Sequence, residues 1–226
     1  MGGGGRCGNA FPTGGYGYAA EASYVPLVSK PLVRRPREGV IEPLALEDDA
    51  IGHDDGPREG CRESAASVLD AAVSRICAWM RANGKENGAD RAQVARFVET
   101  IVHKLKLPCS CVIAMLIYLE RAIDGHSYAL VDANWQPSVL AALIVAAKML
   151  LDEPLSNGEV VDILKISNVP VSKVSYWELS FLDLIGFNTH VGLHAYAVCA
   201  LKLQEQFERK GGGNFFSCVM RHACSG

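Results

Sequence analysis

An all-α fold is what this sequence predicts, on three observations. From Ser64 onward, apolar residues recur at spacings of three and four in one segment after another, the repeat of an amphipathic helix. Strand signals, meaning runs that alternate with period two between turn residues, are absent from the sequence. Finally, VLAALIVAAKMLL, residues 139–151, sets twelve apolar residues and a single Lys148 around every side of a helix, a pattern that suits a central helix surrounded by others.

Residues 64–83 put Val68, Ala72, Ile76 and Trp79 or Met80 on one stripe, and the following NGKENG breaks that helix. A second helix starts on a capping Asp90, carries Val94, Phe97, Val98, Ile101 and Leu105 on one face, and stops before Pro108. CSCVIAMLIYLERAID makes a third, with Gly125 as its C-cap. After the loop HSYALVDANWQP comes the all-round apolar helix, whose Ala141, Ala142, Ala146 and Ala147 let neighbours approach closely. SNGEVVDILKI gives a short helix, SKVSYWELSFLDLIGF a longer one closed by Gly186, and VGLHAYAVCALKLQEQFERK a last one that runs into GGGN. The domain so defined spans 64–209, with its core at about 90–205. It lies between a Gly- and Pro-rich leader over 1–63, expected to be disordered, and a flexible tail over 210–226.

The 226-residue chain is 49% hydrophobic and 21% charged, enough for one well-buried domain with tails. A formal net charge of −3 supplies no broad positive field for a phosphate backbone, so nucleic acid is not an expected partner. Cys77, Cys109, Cys111 and Cys199 fall inside apolar helical patterns and read as small hydrophobes. They fit a reducing compartment, cytoplasmic or nuclear, better than a disulfide framework. No run reaches the roughly 18 uninterrupted apolar residues that a spanning helix needs. MGGGGRC offers Gly2 for myristoylation and Cys7 for palmitoylation, a two-signal anchor that would attach the chain peripherally to a membrane. Arg6 stands where that motif prefers Ser or Thr, and the same glycines also read as a plain flexible leader.

Four charges interrupt the apolar stripes. Lys148 closes the greasiest segment, and Glu178 lies between Val174, four residues before it, and Phe181, Leu182 and Ile185, three, four and seven after it. Glu120 has Ile113, Leu116, Ile117 and Ile123 at helical spacing, and Arg91 shares a face with Val94, Ala95 and Val98. An isolated charge on such a face is costly, so these two cations and two anions are expected to pair or to reach the edge of the core. For Lys148 the plainer reading is snorkelling, with its methylenes on the core and its ammonium in water. A pair at the rim is also a candidate contact for another protein.

RFVETI, YLERAI, NWQPSVLAALIVAAKMLLDE and WELSFLDLIGFN, in that order, resemble the cyclin box, the five-helix fold that activates cyclin-dependent kinases. They look most like cyclin Y and the phosphate-responsive and U-type cyclins. The resemblance covers roughly residues 90–205 and rests on the order and spacing of the motifs together. It implies a single cyclin box with an extra N-terminal helix, a non-catalytic regulatory subunit of a Ser/Thr kinase, and a cyclin-dependent protein kinase as partner. In the family, a lysine near the end of the central helix and a glutamate two helices later pair at the kinase surface. The matching positions are Lys148 and Glu178, with Leu151, Leu155 and Phe181 as the apolar contacts around them. Glu120 matches an acidic position that pairs with an arginine of the first box helix, here Arg91. Resemblance to cyclin Y, which is anchored through its N-terminus, implies acylation at Gly2 and Cys7 as an expectation. Asp90 and Gln93 stand where the family's docking patch for Arg-x-Leu motifs needs apolar residues. Only a short segment follows the box, where many cyclins have a second five-helix repeat; cyclin Y-like proteins also manage with one.

No catalytic residue, cofactor or metal is expected, because no nucleophile, base and oxyanion donor fall at recognisable spacing. His190 and His194 stand four apart, as zinc ligands can, but without the glutamate of HExxH or an evident third ligand they read as packing or capping residues. CSC at 109–111 lacks the CxxC spacing of redox pairs. The cluster Arg34, Arg35 and Arg37 reads as solvated, or as a contact for anionic lipid or an adaptor protein. Two other functions stay open: a cyclin-like scaffold that binds without activating, and a transcription-factor-B-like nucleic-acid binder. The second normally has two repeats and a basic surface, and neither is evident in the sequence.

Overall fold

A helix with no polar face has to be enclosed, and the order of elements shows how the chain achieves it. The structure, a computed structural model, describes residue 44 and residues 59–83 (side chains from 66), 90–126, 128–166 and 168–209. Among the described residues the regular structure is helical throughout: α1 (Glu59–Asn83), α2 (Arg91–Lys104), α3 (Cys109–His126), α4 (Trp135–Leu150), α5 (Asn157–Leu164), α6 (Val171–Leu184) and α7 (Leu193–Glu208). The expected all-α class is the observed one. None of these helices is long and apolar enough to cross a membrane.

α4 is buried without a break from Trp135 to Ala147. α3 and α6 pack along it, and α2 touches it. Around α3, α1 and α7 close the other side, while α5 packs on α6 and α2. α4 starts four residues before the apolar run because Pro137 falls in its first turn, where the missing N–H has no intrahelical partner to lose. The Trp135 ring gained by this early start meets Phe97 of α2 edge-on, with centroids 5.0 Å apart.

Helix ends depart from expectation in informative ways. α3 runs through Gly125 to His126, so that glycine is no C-cap. The chain turns instead at 129–134, where the Asn134 side chain accepts from the Val131 N–H at 2.8 Å and donates to the Ala129 carbonyl at 2.9 Å. Gly186 does close α6, at φ +61, with Phe187 also left-handed at φ +55. This turn is pinned to α3: the Tyr118 hydroxyl donates to the Thr189 carbonyl at 2.7 Å, and Arg121 donates to the carbonyls of Asn188 at 2.5 Å and His190 at 2.8 Å.

Two features of the structure fall within the expected leader of 1–63. α1 begins at Glu59, inside it, because EGCRE at 59–63 extends the helix without an apolar stripe to announce it. Leu44 belongs to the core at 5% exposure, and its N–H donates to Oε1 of Gln136 at 3.0 Å. Gln136 is itself buried in the first turn of α4, so its amide requires a partner inside the protein. Gly2, Cys7, Arg34, Arg35, Arg37 and the tail over 210–226 lie outside the described residues.

Leu143, fully buried near the middle of α4, tests the enclosure. Leu143→Ala is expected to lower the unfolding free energy by about 3 kcal/mol, read from the denaturation midpoint in urea at unchanged slope.

Candidate partner-binding site

Where α4 emerges from the core, its first charge appears. The Lys148 ammonium donates to both oxygens of Glu178 on α6, at 2.7 and 2.8 Å, and to Oδ1 of Asn157 at 2.9 Å. Asn157 is the first residue of α5, directly after Ser156. Its Nδ2 donates to Glu178 Oε2 at 2.6 Å and to Ser175 Oγ at 3.0 Å. Three helix segments thus converge on one hydrogen-bonded cluster.

The local sequence sets α5 in place for this. Ser156 accepts from the Glu159 N–H at 3.2 Å, and the Glu159 carboxylate accepts from the Ser156 N–H at 2.7 Å, a complete capping box. The hydrogen bonds from the Ser156 backbone and hydroxyl hold the Glu159 carboxyl below the usual carboxylate range. Lys165, left-handed at φ +51, ends the helix after two turns.

The side chains of Lys148 and Glu178 are 29% and 14% exposed, so the pair sits at the rim, neither solvated nor sealed. Such a pair adds little net stability, because desolvation offsets most of the attraction, while removal of one partner strands the other. Next to Lys148 in the chain, Met149 and Leu150 are exposed, and Leu151 and Leu155 are half-buried. Phe181, expected among the apolar contacts around the pair, is 4% exposed and part of the core. Val174 and Phe181 are the buried residues of α6, and Glu178 lies at the edge of their stripe. The apolar residues that α6 does expose are Val171, Tyr176 and Leu179, which stripe analysis passes over because they lie off the buried face.

The second expected pair, Arg91 with Glu120, is replaced by two others. Arg91 bonds Asp70 and, at 3.2 Å, Ser74, both on α1. Glu120 takes Arg75 of α1 at 2.8 Å and Lys202 of α7 at 3.1 Å. The cause is α1, which packs against both α2 and α3 and offers each a nearer partner of opposite sign.

Cys77, Cys111 and Cys199 are free thiols in the core, as their apolar surroundings predict. Burial pushes Cys111 up to about 12 and Cys199 up to about 11, and raises Cys77 as well. Among the described residues no three metal-binding side chains converge, and His190 engages Arg121 through its backbone carbonyl.

The family model for cyclins matches residues 63–189, more than half of the 226-residue chain, and the chain belongs to the cyclin family. The match takes in most of α1 and ends at the turn after α6, leaving α7 outside, whereas the sequence motifs set the resemblance at about 90–205. No solved structure matches the chain.

Double-mutant cycles separate the observed pairing from the one expected. Arg75→Ala with Glu120→Ala should show a coupling of about 0.5–1 kcal/mol, and Arg91→Ala with Glu120→Ala a coupling near zero. With iodoacetamide at pH 8, Cys111 and Cys199 should stay unmodified in the folded protein, since both remain thiols there, and react once denaturant is added. Peptide mass spectrometry reads both states.

Proposed function

We propose that this cyclin is a regulatory subunit that binds a cyclin-dependent protein kinase and activates it. Within the family, the reading favours the single-box group of cyclin Y and the phosphate-responsive and U-type cyclins. The observation that carries it is the rim position of Lys148, held by Glu178 at 2.7 Å and bordered by the apolar residues Met149, Leu150, Leu151 and Leu155. An ammonium fixed in place and flanked by exposed apolar surface suits a partner that supplies backbone carbonyls and an apolar helix face.

The mechanism is a shift of population. A cyclin can move its kinase toward the active state only by as much as it binds that state better. Kinases need a strand lysine paired with a C-helix glutamate before phosphoryl transfer is efficient. The ends of α4 to α6 would hold the C-helix inward, with Lys148 donating to kinase carbonyls and Glu178 fixing its rotamer. Phe181 would act from beneath, as packing that sets the height of α6. The chain contributes no reacting group to the transfer. Acylation at Gly2 and Cys7 belongs to the same proposal and would place the complex at a membrane.

Affinity purification from cells, followed by a kinase assay, tests this reading. An active kinase should accompany the wild-type chain, and Lys148→Ala should reduce its capture by about tenfold or more with the far-ultraviolet circular dichroism unchanged. Recovery of an inactive kinase would mean a scaffold, and undiminished capture by Lys148→Ala would remove that residue from the contact.

A further inference from the structure

The geometry points to Asn157 as a positioning residue of the kinase-facing pair, one that holds the site ready and yields its place to the partner; this rests on the kinase-binding reading above. A lysine ammonium carries three N–H donors and accepts nothing. In this cyclin three acceptors lie within hydrogen-bond distance of the ammonium: the two Glu178 oxygens and Oδ1 of Asn157, at 2.7, 2.8 and 2.9 Å. A partner's backbone carbonyl therefore competes with these three for the N–H groups of Lys148.

Charge selects which one leaves. The Glu178 oxygens carry a full negative charge, and hydrogen bonds between two ionised groups are about twice as strong as neutral ones. Oδ1 of Asn157 is a neutral amide oxygen, chemically equivalent to a peptide carbonyl. Exchanging one amide oxygen for another at the third N–H leaves the ion pair intact and costs little.

The other half of the amide explains why an asparagine suits the position. Nδ2 donates to Glu178 Oε2 at 2.6 Å and to Ser175 Oγ at 3.0 Å, so the carboxylate stays anchored when Oδ1 releases the ammonium. The orientation of the amide is dictated by its neighbours: flipped, it would turn its NH2 toward the ammonium and its oxygen toward the carboxylate. The backbone beneath is rigid as well, since Asn157 follows the Ser156–Glu159 capping box directly. A site of this kind spends little ordering entropy on docking.

Two variants of the full chain test the inference, each checked for folding by thermal melt. Asn157→Ala removes both contacts. The 15N-resolved ammonium signal of Lys148, which the three acceptors should make visible by slowing its exchange, should be lost or shifted, and affinity for the kinase co-purified with wild type should fall about tenfold. Asn157→Asp keeps an acceptor but charges it and deletes the donor to Glu178. Its Lys148 signal should persist while kinase affinity falls at least as far, a split that a purely structural residue would not produce. An unchanged ammonium signal in Asn157→Ala, or kinase affinity equal to wild type in both variants, overturns the inference. If the wild-type chain captures no kinase, the activator reading fails on its own, and the Lys148 spectra still decide whether Asn157 positions the ammonium.

Discussion

Removing α4 from water is the constraint on which the rest of the structure depends. From Trp135 to Ala147 it has no face that tolerates solvent, so the protein must supply walls on every side, and α2, α3 and α6 do so directly. The first polar side chain after this stretch is Lys148, and it emerges where the walls end. Its place at the rim is thus a consequence of burial. A charge one turn earlier would be sealed in the core, and one turn later would be ordinary surface.

A rim position makes a side chain available but leaves it free to move. Order comes from two elements that follow in the chain: α5, started by its capping box and ended by left-handed Lys165, and α6, whose Val174 and Phe181 fix its register in the core. Both deliver their polar residues to one spot, Asn157 from one and Ser175 and Glu178 from the other. The α6 end is set in turn by α3, whose Tyr118 and Arg121 grip the carbonyls of Asn188, Thr189 and His190. The motif YLER therefore does separate jobs with its polar residues, holding the exit of α6 with two and pairing to α1 and α7 with Glu120.

α1 changes the electrostatics of the bundle more than its place outside the five box helices would suggest. By packing against α2, α3 and α7 it brings Asp70, Ser74 and Arg75 to charges that would otherwise face each other or water. The family match, which begins at residue 63, includes most of it. Leu44 adds a further contact from upstream, through Gln136 at the start of α4.

Helical class, the order of seven helices and the central place of α4 were all legible from the spacing of apolar residues, because burial imposes the 3.6-residue period directly on the sequence. The meeting of Lys148 with Glu178 was legible only through the resemblance to the cyclin box, because the stripes show that four charges need partners or an edge but not which of them meet. The partners of Arg91 and Glu120 and the part taken by Asn157 and Leu44 were decided only in three dimensions. An ion pair depends on which helices become neighbours, and a short polar side chain such as Asn157 leaves no periodic mark. Patterning reports how far each residue is from water; it does not report which residues, distant in the chain, stand beside one another once the helices have packed.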